Sequence, residues 1–207
     1  MMRLFSLILF AVTMFGCGDD GEPEPKRCPI GDLAAPAEAE LFFLDANNQL
    51  VAPTATGEVP LMIPPQGGWI VLVGVRARNI DGCSPTLTTA LVDTDDGQIL
   101  KIDQRQTELE LDASGWGMSR ASTVGNLQVC PQLTATRDLY GQPYVVSAVV
   151  EDADGNKATT QMTVTPTCPP GESRCQCECA RDYVVGDECP ATYQPTVMPS
   201  GDVSRRL

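Results

Sequence analysis

The chain has 207 residues, a formal charge of −13 and no histidine. That length holds one ordinary domain with appendages, and the acidity excludes a basic patch for nucleic acid or anionic lipid. The missing histidine excludes Ser-His-Asp and Cys-His nucleophiles and any histidine metal site.

Arg3 precedes a twelve-residue, almost wholly apolar run over residues 4–15. A helix that spans a bilayer needs about 20 residues, so the run has the proportions of the hydrophobic region of a secretory signal peptide. It ends in Met14-Phe15-Gly16-Cys17. A small residue before a cysteine, directly after the apolar run, resembles the lipobox of bacterial lipoproteins. Met14 stands where Leu is usual and Phe15 where a small residue is usual. The resemblance covers about the first twenty residues. It implies that residues 1–16 are a signal peptide and that Cys17 carries the lipid, a diacylglyceryl thioether with an acylated amine. Two or three acyl chains anchor firmly, because each buried methylene contributes about 0.8 kcal/mol. In enterobacterial lipoproteins an Asp after the cysteine favours inner-membrane retention. Gly18 occupies that place, which by the same resemblance points to the outer membrane. Residues 17–32 then read as an acidic, Pro- and Gly-bearing tether.

From about residue 33 to 167 the apolar pattern has period two, and turn residues recur about every ten positions. Leu41 to Leu44 is predicted as a strand, followed by a polar turn at Ala46-Asn47-Asn48. "EVPLMIPP" is edge-like, because Pro60, Pro64 and Pro65 cannot donate to a central ladder. "GGWIVLVGVRARNIDG" is the strongest strand, with Val71, Val73, Val75 and Ala77 on one face and Gly74, Arg76 and Arg78 on the other. "LTTALVDTDDGQILKID" reads as a hairpin turning at Asp95-Asp96-Gly97. "TELELDASG" places Leu109 and Leu111 inward, and "NLQVCPQL" is a further strand. The last pair flanks Asp154-Gly155-Asn156. About eight strands and no helix predict an antiparallel β-sandwich. The final hairpin, "VVSAVVEDADGNKATTQMTV", resembles that of immunoglobulin-like and fibronectin-like domains of bacterial surface proteins. The Cys-Trp-Cys spacing of true immunoglobulins is not met: Trp69 precedes every cysteine of the sandwich, and Trp116 lies 33 residues after Cys83.

There are nine cysteines. With Cys17 lipidated, the even remainder (Cys28, Cys83, Cys130, Cys168, Cys175, Cys177, Cys179 and Cys189) implies disulfides in an exported chain. Eight cysteines allow 105 pairings. The expectation is Cys28 with Cys168, flanking the sandwich, and Cys83 with Cys130, inside it. The other four would close a cysteine-rich module over residues 168–190, ahead of a disordered tail over 191–207. Cys175, Cys177, Cys179 and Cys189 are also a conceivable zinc set, although Cys-x-Cys is tighter than usual structural spacing.

Asp152, Asp154 and Asn156 resemble the start of a calcium loop but lack the glutamate at its twelfth place. "DTDDG", residues 93–97, raises the same idea, and both also read as Asp- and Asn-rich hairpin turns. No catalytic residue is predicted. Paired carboxylates for glycoside hydrolysis would have to face each other across a pocket. Together these features predict a lipid-anchored envelope protein with a binding or structural role. Its partners would be the membrane, through the lipid, and an envelope protein or glycan. A calcium-stabilised adhesion module and a carboxylate hydrolase are the rivals.

Overall fold

The computed structural model describes residues 26–51 and 57–192. The signal peptide, Cys17, most of the tether and the tail from residue 193 lie outside the described residues. In chain order the strands are β1 (Pro29–Ile30), β2 (Glu38–Leu44), β3 (Leu50–Val51), β4 (Glu58–Pro60), β5 (Trp69–Arg78), β6 (Ile80–Asp81) and β7 (Thr86–Asp93). There follow β8 (Ile99–Gln106), β9 (Leu109–Leu111), β10 (Gly117–Ser119), β11 (Gly125–Cys130), β12 (Tyr144–Glu151), β13 (Lys157–Thr167) and a short helix α1 (Ser173–Glu178). No described helix is long and apolar enough to cross a membrane.

The strands form two packed sheets. One runs β3-β2-β5-β10-β9, with β11 sharing β5's far edge with β10; the other runs β4-β13-β12-β7-β8. A two-residue ladder pairs β1 with β6. The pairings are antiparallel except that of β4 with β13, where the chain has crossed from the first sheet to the edge of the second. Two sheets, cross-connected between β2 and β4 and closed by the β12–β13 hairpin, make an immunoglobulin-like sandwich.

The period-two reading of β5 holds. Val71, Val73, Val75 and Ala77 are all at most 2% exposed. They meet Leu87, Leu91, Val146, Ala148 and Val150 from β7 and β12 across the sandwich. Leu109 is buried as expected, but Leu111 is 68% exposed. β9 is only three residues long, and the chain turns at Asp112 to Trp116 before Leu111 reaches the core. A helix follows the sandwich. Six residues, "SRCQCE", coil into α1, too short a stretch to display a 3.6-residue period.

The cysteine pairing differs from the expected one. The bonds are Cys28–Cys83, Cys130–Cys179, Cys168–Cys175 and Cys177–Cys189. Cys28 and Cys168 flank the sandwich in sequence but sit at opposite ends of it. β1 lies beside β6 where β5 finishes, whereas β13 starts at that end and runs to the other. Cys83 and Cys130 are likewise at opposite ends, since Cys130 pairs with Trp69, the first residue of β5. Ten residues of strand span about 33 Å, far beyond the Cα separation of about 4.4–6.8 Å that a disulfide bridges. Each end is therefore closed by its own bond.

Candidate functional site

At the end where β5 begins, α1 packs as a lid. Cys175 and Cys179 are fully buried in the same cluster as Trp69, Leu139 and Tyr144. The Trp69 indole Nε1 donates to Glu178 Oε2 at 2.8 Å, and Arg174 Nε donates to Glu178 Oε1 at 2.7 Å. The Leu139 amide donates to the Cys179 carbonyl at 2.9 Å. The cysteine-rich segment thus contributes core to the sandwich. The conceivable zinc set is not brought together. The sulfurs that converge belong to Cys168, Cys175 and Cys179, within 4.8 Å of one another, and all three are held in disulfides.

Beside this lid Arg137 joins three elements. Its guanidinium donates to both oxygens of Asp93, at 2.7 and 3.3 Å, and to the Pro143 carbonyl at 2.7 Å. It also lies 4.5 Å from the Tyr144 ring centroid. The Tyr144 hydroxyl donates to the Asp138 carbonyl at 2.8 Å. A tyrosine at the start of this strand, bonded to backbone a few residues upstream, is the tyrosine corner of immunoglobulin-like sandwiches. Burial, the largest influence, pushes its hydroxyl up to about 12. The turn "DTDDG" is therefore tied down by Arg137, with Asp93 also accepting the Asp95 amide at 2.9 Å.

The calcium candidates lie at the opposite end. Asp152 Oδ1 accepts the amides of Asp154 and Asn156, at 3.0 and 2.9 Å. Its Oδ2 accepts the Asn156 side-chain amide at 3.0 Å and the Asp81 amide at 3.2 Å. Asp154 is held by both terminal nitrogens of Arg27, at 2.7 and 3.1 Å. The oxygens of Asp152 and Asp154 thus accept from N–H donors and a guanidinium, which hold the turn closed. Burial pushes the Asp152 carboxyl up, but the Asn156 amide and the backbone amides of Asp81, Asn156 and Asp154 outweigh it and hold it below the usual range. Next to these groups Asp81 Oδ1 accepts the amides of Cys28 and Cys83, at 3.1 and 3.0 Å. A cleft of about 450 Å³ opens there. It mixes Lys26, Arg27 and Arg120 with Glu108, Glu110 and Asp154, and Arg120 already pairs with Glu108 and Glu110.

The buried carboxylates among the described residues are Asp81, Asp93, Asp152 and Glu178. Each accepts bonds from amides, an indole or a guanidinium. A glycosidase acid needs its pKa raised so that it can carry a proton, and Asp152 is moved the other way.

The outside of the two sheets is open as well. On the first sheet Phe42, Leu44 and Val124 cluster with Leu72 and Met118. The Phe42 ring lies over Gly74, directly opposite in register, where a Cβ would collide with it. A groove of about 310 Å³ follows, rimmed by exposed Leu50 and Leu111. Alongside, Arg76 and Arg78 stack on Trp116 at 5.3 and 4.7 Å while pairing with Glu40 and Glu38. On the second sheet the outward rows contain no charge over most of their length. Val149 lies between Thr88 and Thr159, Ser147 between Ala90 and Gln161, and Val145 between Val92 and Thr163. Ile102 and Ile99, 52% and 55% exposed, extend two of these rows onto β8.

Sequence reasoning missed Arg137, the Trp69–Glu178 bond and the uncharged face. The first two join residues far apart in the chain, and no local pattern marks them. The third was legible as the alternate set of β7 and β12, once the buried set had been assigned. No family model matches the chain, and no curated protein matches it. Among solved structures it is similar to the one described as the crystal structure of CopC from Methylosinus trichosporium OB3b, at 17% identity, with 62% of this chain and 95% of that chain covered and a TM-score of 0.28.

Proposed function

We propose that this is a lipid-anchored protein of the bacterial cell envelope, held by Cys17, whose immunoglobulin-like sandwich acts by binding and not by catalysis. The observation that carries the reading is the fate of the cysteines. All eight beyond Cys17 are joined to one another, as suits an oxidising compartment, so Cys17 has no partner left within the chain and is free for lipid. The signal-peptide pattern and the small residue before Cys17 support the same assignment. Supporting the non-catalytic part, the buried carboxylates serve as acceptors that organise the ends of the fold, and there is no histidine to act as a base. Gly18 favours the outer membrane, and the partner would be an envelope protein or glycan met by the outer faces of the sheets.

Mass spectrometry of the membrane fraction tests the anchor. Cys17 should carry acyl chains at the start of the mature protein, and Cys17→Ser should leave the precursor unprocessed or release it. Normal processing and membrane retention of the serine variant would overturn the reading.

A further inference from the structure

We propose that the outer face of the sheet β4-β13-β12-β7-β8 is a self-association surface, on which a second copy of this chain seats face to face. The inference rests on the sandwich being a binding domain, and not on its anchor.

The chain carries a net charge of −13, so two copies repel one another wherever charged surfaces meet. On β8, β7, β12 and β13 the outward side chains are free of charge except Glu151 and Lys157, which neutralise each other at one end, 3.1 Å apart, and Glu58 stands outward on the short edge strand β4, opposite Thr165. Ala90, Val92, Val145, Val149, Ile99 and Ile102 make an aliphatic band on the face, interrupted by Ser147. Ser147 and the neighbouring Thr and Gln side chains can each both donate and accept hydrogen bonds, so the surface is complementary to itself. It has no aromatic ring on which a sugar could stack, and its charges, the Glu151–Lys157 pair and Glu58 on β4, lie at its margins.

Both edges of the same sheet are closed to strand addition. β4 is three residues long and contains Pro60, at the edge. β8 carries Lys101, Asp103 and Arg105 on its inner side, opposite Leu91, Thr89 and Leu87. Short length, proline and inward charges are the devices that block edge pairing. The sheet can therefore meet a second copy by its face. Four strands about 4.8 Å apart and about eight residues long give a flat area of about 500 Å² per copy. Two such faces bury about 1,000 Å², at the lower bound for a specific interface, so the dimer should be reversible.

Sedimentation of the full chain in detergent, over a range of concentrations, tests this. Dimers that dissociate on dilution are expected. Val149→Glu should weaken them at least about tenfold, because like charges would face each other in a desolvated interface. Leu111→Glu, on the opposite sheet, should leave them unchanged. Thermal unfolding of each variant separates loss of contact from loss of fold, and Ser147→Glu serves if Val149→Glu unfolds. A benzophenone side chain at position 147 should crosslink the chain to itself on intact cells. Monomers at every concentration, equal weakening by Leu111→Glu, or a crosslink to a different protein or to a glycan would each overturn the proposal. The last two adducts would still leave the binding reading standing, and acylation of Cys17 is read independently by mass.

Discussion

The Arg137 guanidinium lies between the Tyr144 ring and the Asp93 carboxylate, which is only 3% exposed. Removing the arginine leaves a buried charge without its counter-ion, and Arg137→Ala should cost about 3 kcal/mol. Tyr144→Phe keeps the packing and loses one hydrogen bond, so about 1 kcal/mol is expected; urea unfolding separates the two. The tyrosine also sets the alkaline limit. Its folded value, about 12, lies above the unfolded value of about 10. Its contribution is therefore complete below about pH 10 and is lost as pH rises through the folded value. Tyr144→Phe should flatten that limb, and an unchanged limb would mean that the hydroxyl is not buried. Asp152 works in the opposite direction. Its carboxyl is held below the usual range, so its contribution is present above about pH 4 and is lost as pH falls through the folded value. Asp152→Asn should lower stability near neutrality and make the acid limb shallower. A chelator should not shift Tm, because the oxygens of Asp152 and Asp154 already have N–H partners; a drop in Tm would show that a cation is bound.

At the level of elements, α1 shows how a six-residue helix is kept. A helix this short is unstable alone, and it lacks a side-chain N-cap. Cys168–Cys175 holds its middle to the end of β13, and Cys130–Cys179 holds its C-terminus to the end of β11. The latter bond joins residues 49 apart, a loop for which chain entropy alone predicts about 4 kcal/mol. The double variant Cys130→Ala/Cys179→Ala should lose much of that. It should also loosen the lid over Trp69, whose indole is 1% exposed and bonded to Glu178. A red shift in tryptophan emission together with a lower Tm is expected. Unchanged emission would show that packing holds α1 without the bond.

For the molecule as a whole, the two sheets use their outer faces differently. The first covers part of its face with its own Phe42 and Leu44 and lays salt-bridged arginines over Trp116. The second leaves a plain of aliphatic and hydroxyl side chains with balanced charge at one end. Because the rest of the chain is strongly acidic, salt should tighten a dimer built on that plain by screening the repulsion between copies. In the same sedimentation series the dissociation constant should fall as salt is raised. A rise would mean that ion pairs, and not a neutral face, hold the copies together.

Strand identity was legible in the sequence wherever alternation ran long enough to be counted, as in β5, β7 and β12, because one buried face of a pleated strand imposes period two on its residues. The same alternation was misleading at Leu111, where the strand ends before the core does. The acceptor-rich turns at Asp93 and Asp152 were also visible, since Asp and Asn beside Gly make turns through their own side chains. The pairing of the cysteines, the lid made by α1, the anchoring of Asp93 by Arg137 and the parallel join of β4 to β13 were decided only by tertiary structure. Each depends on which end of a strand about 33 Å long a residue occupies. That depends on how many times the chain has reversed, a count no local stretch of sequence carries.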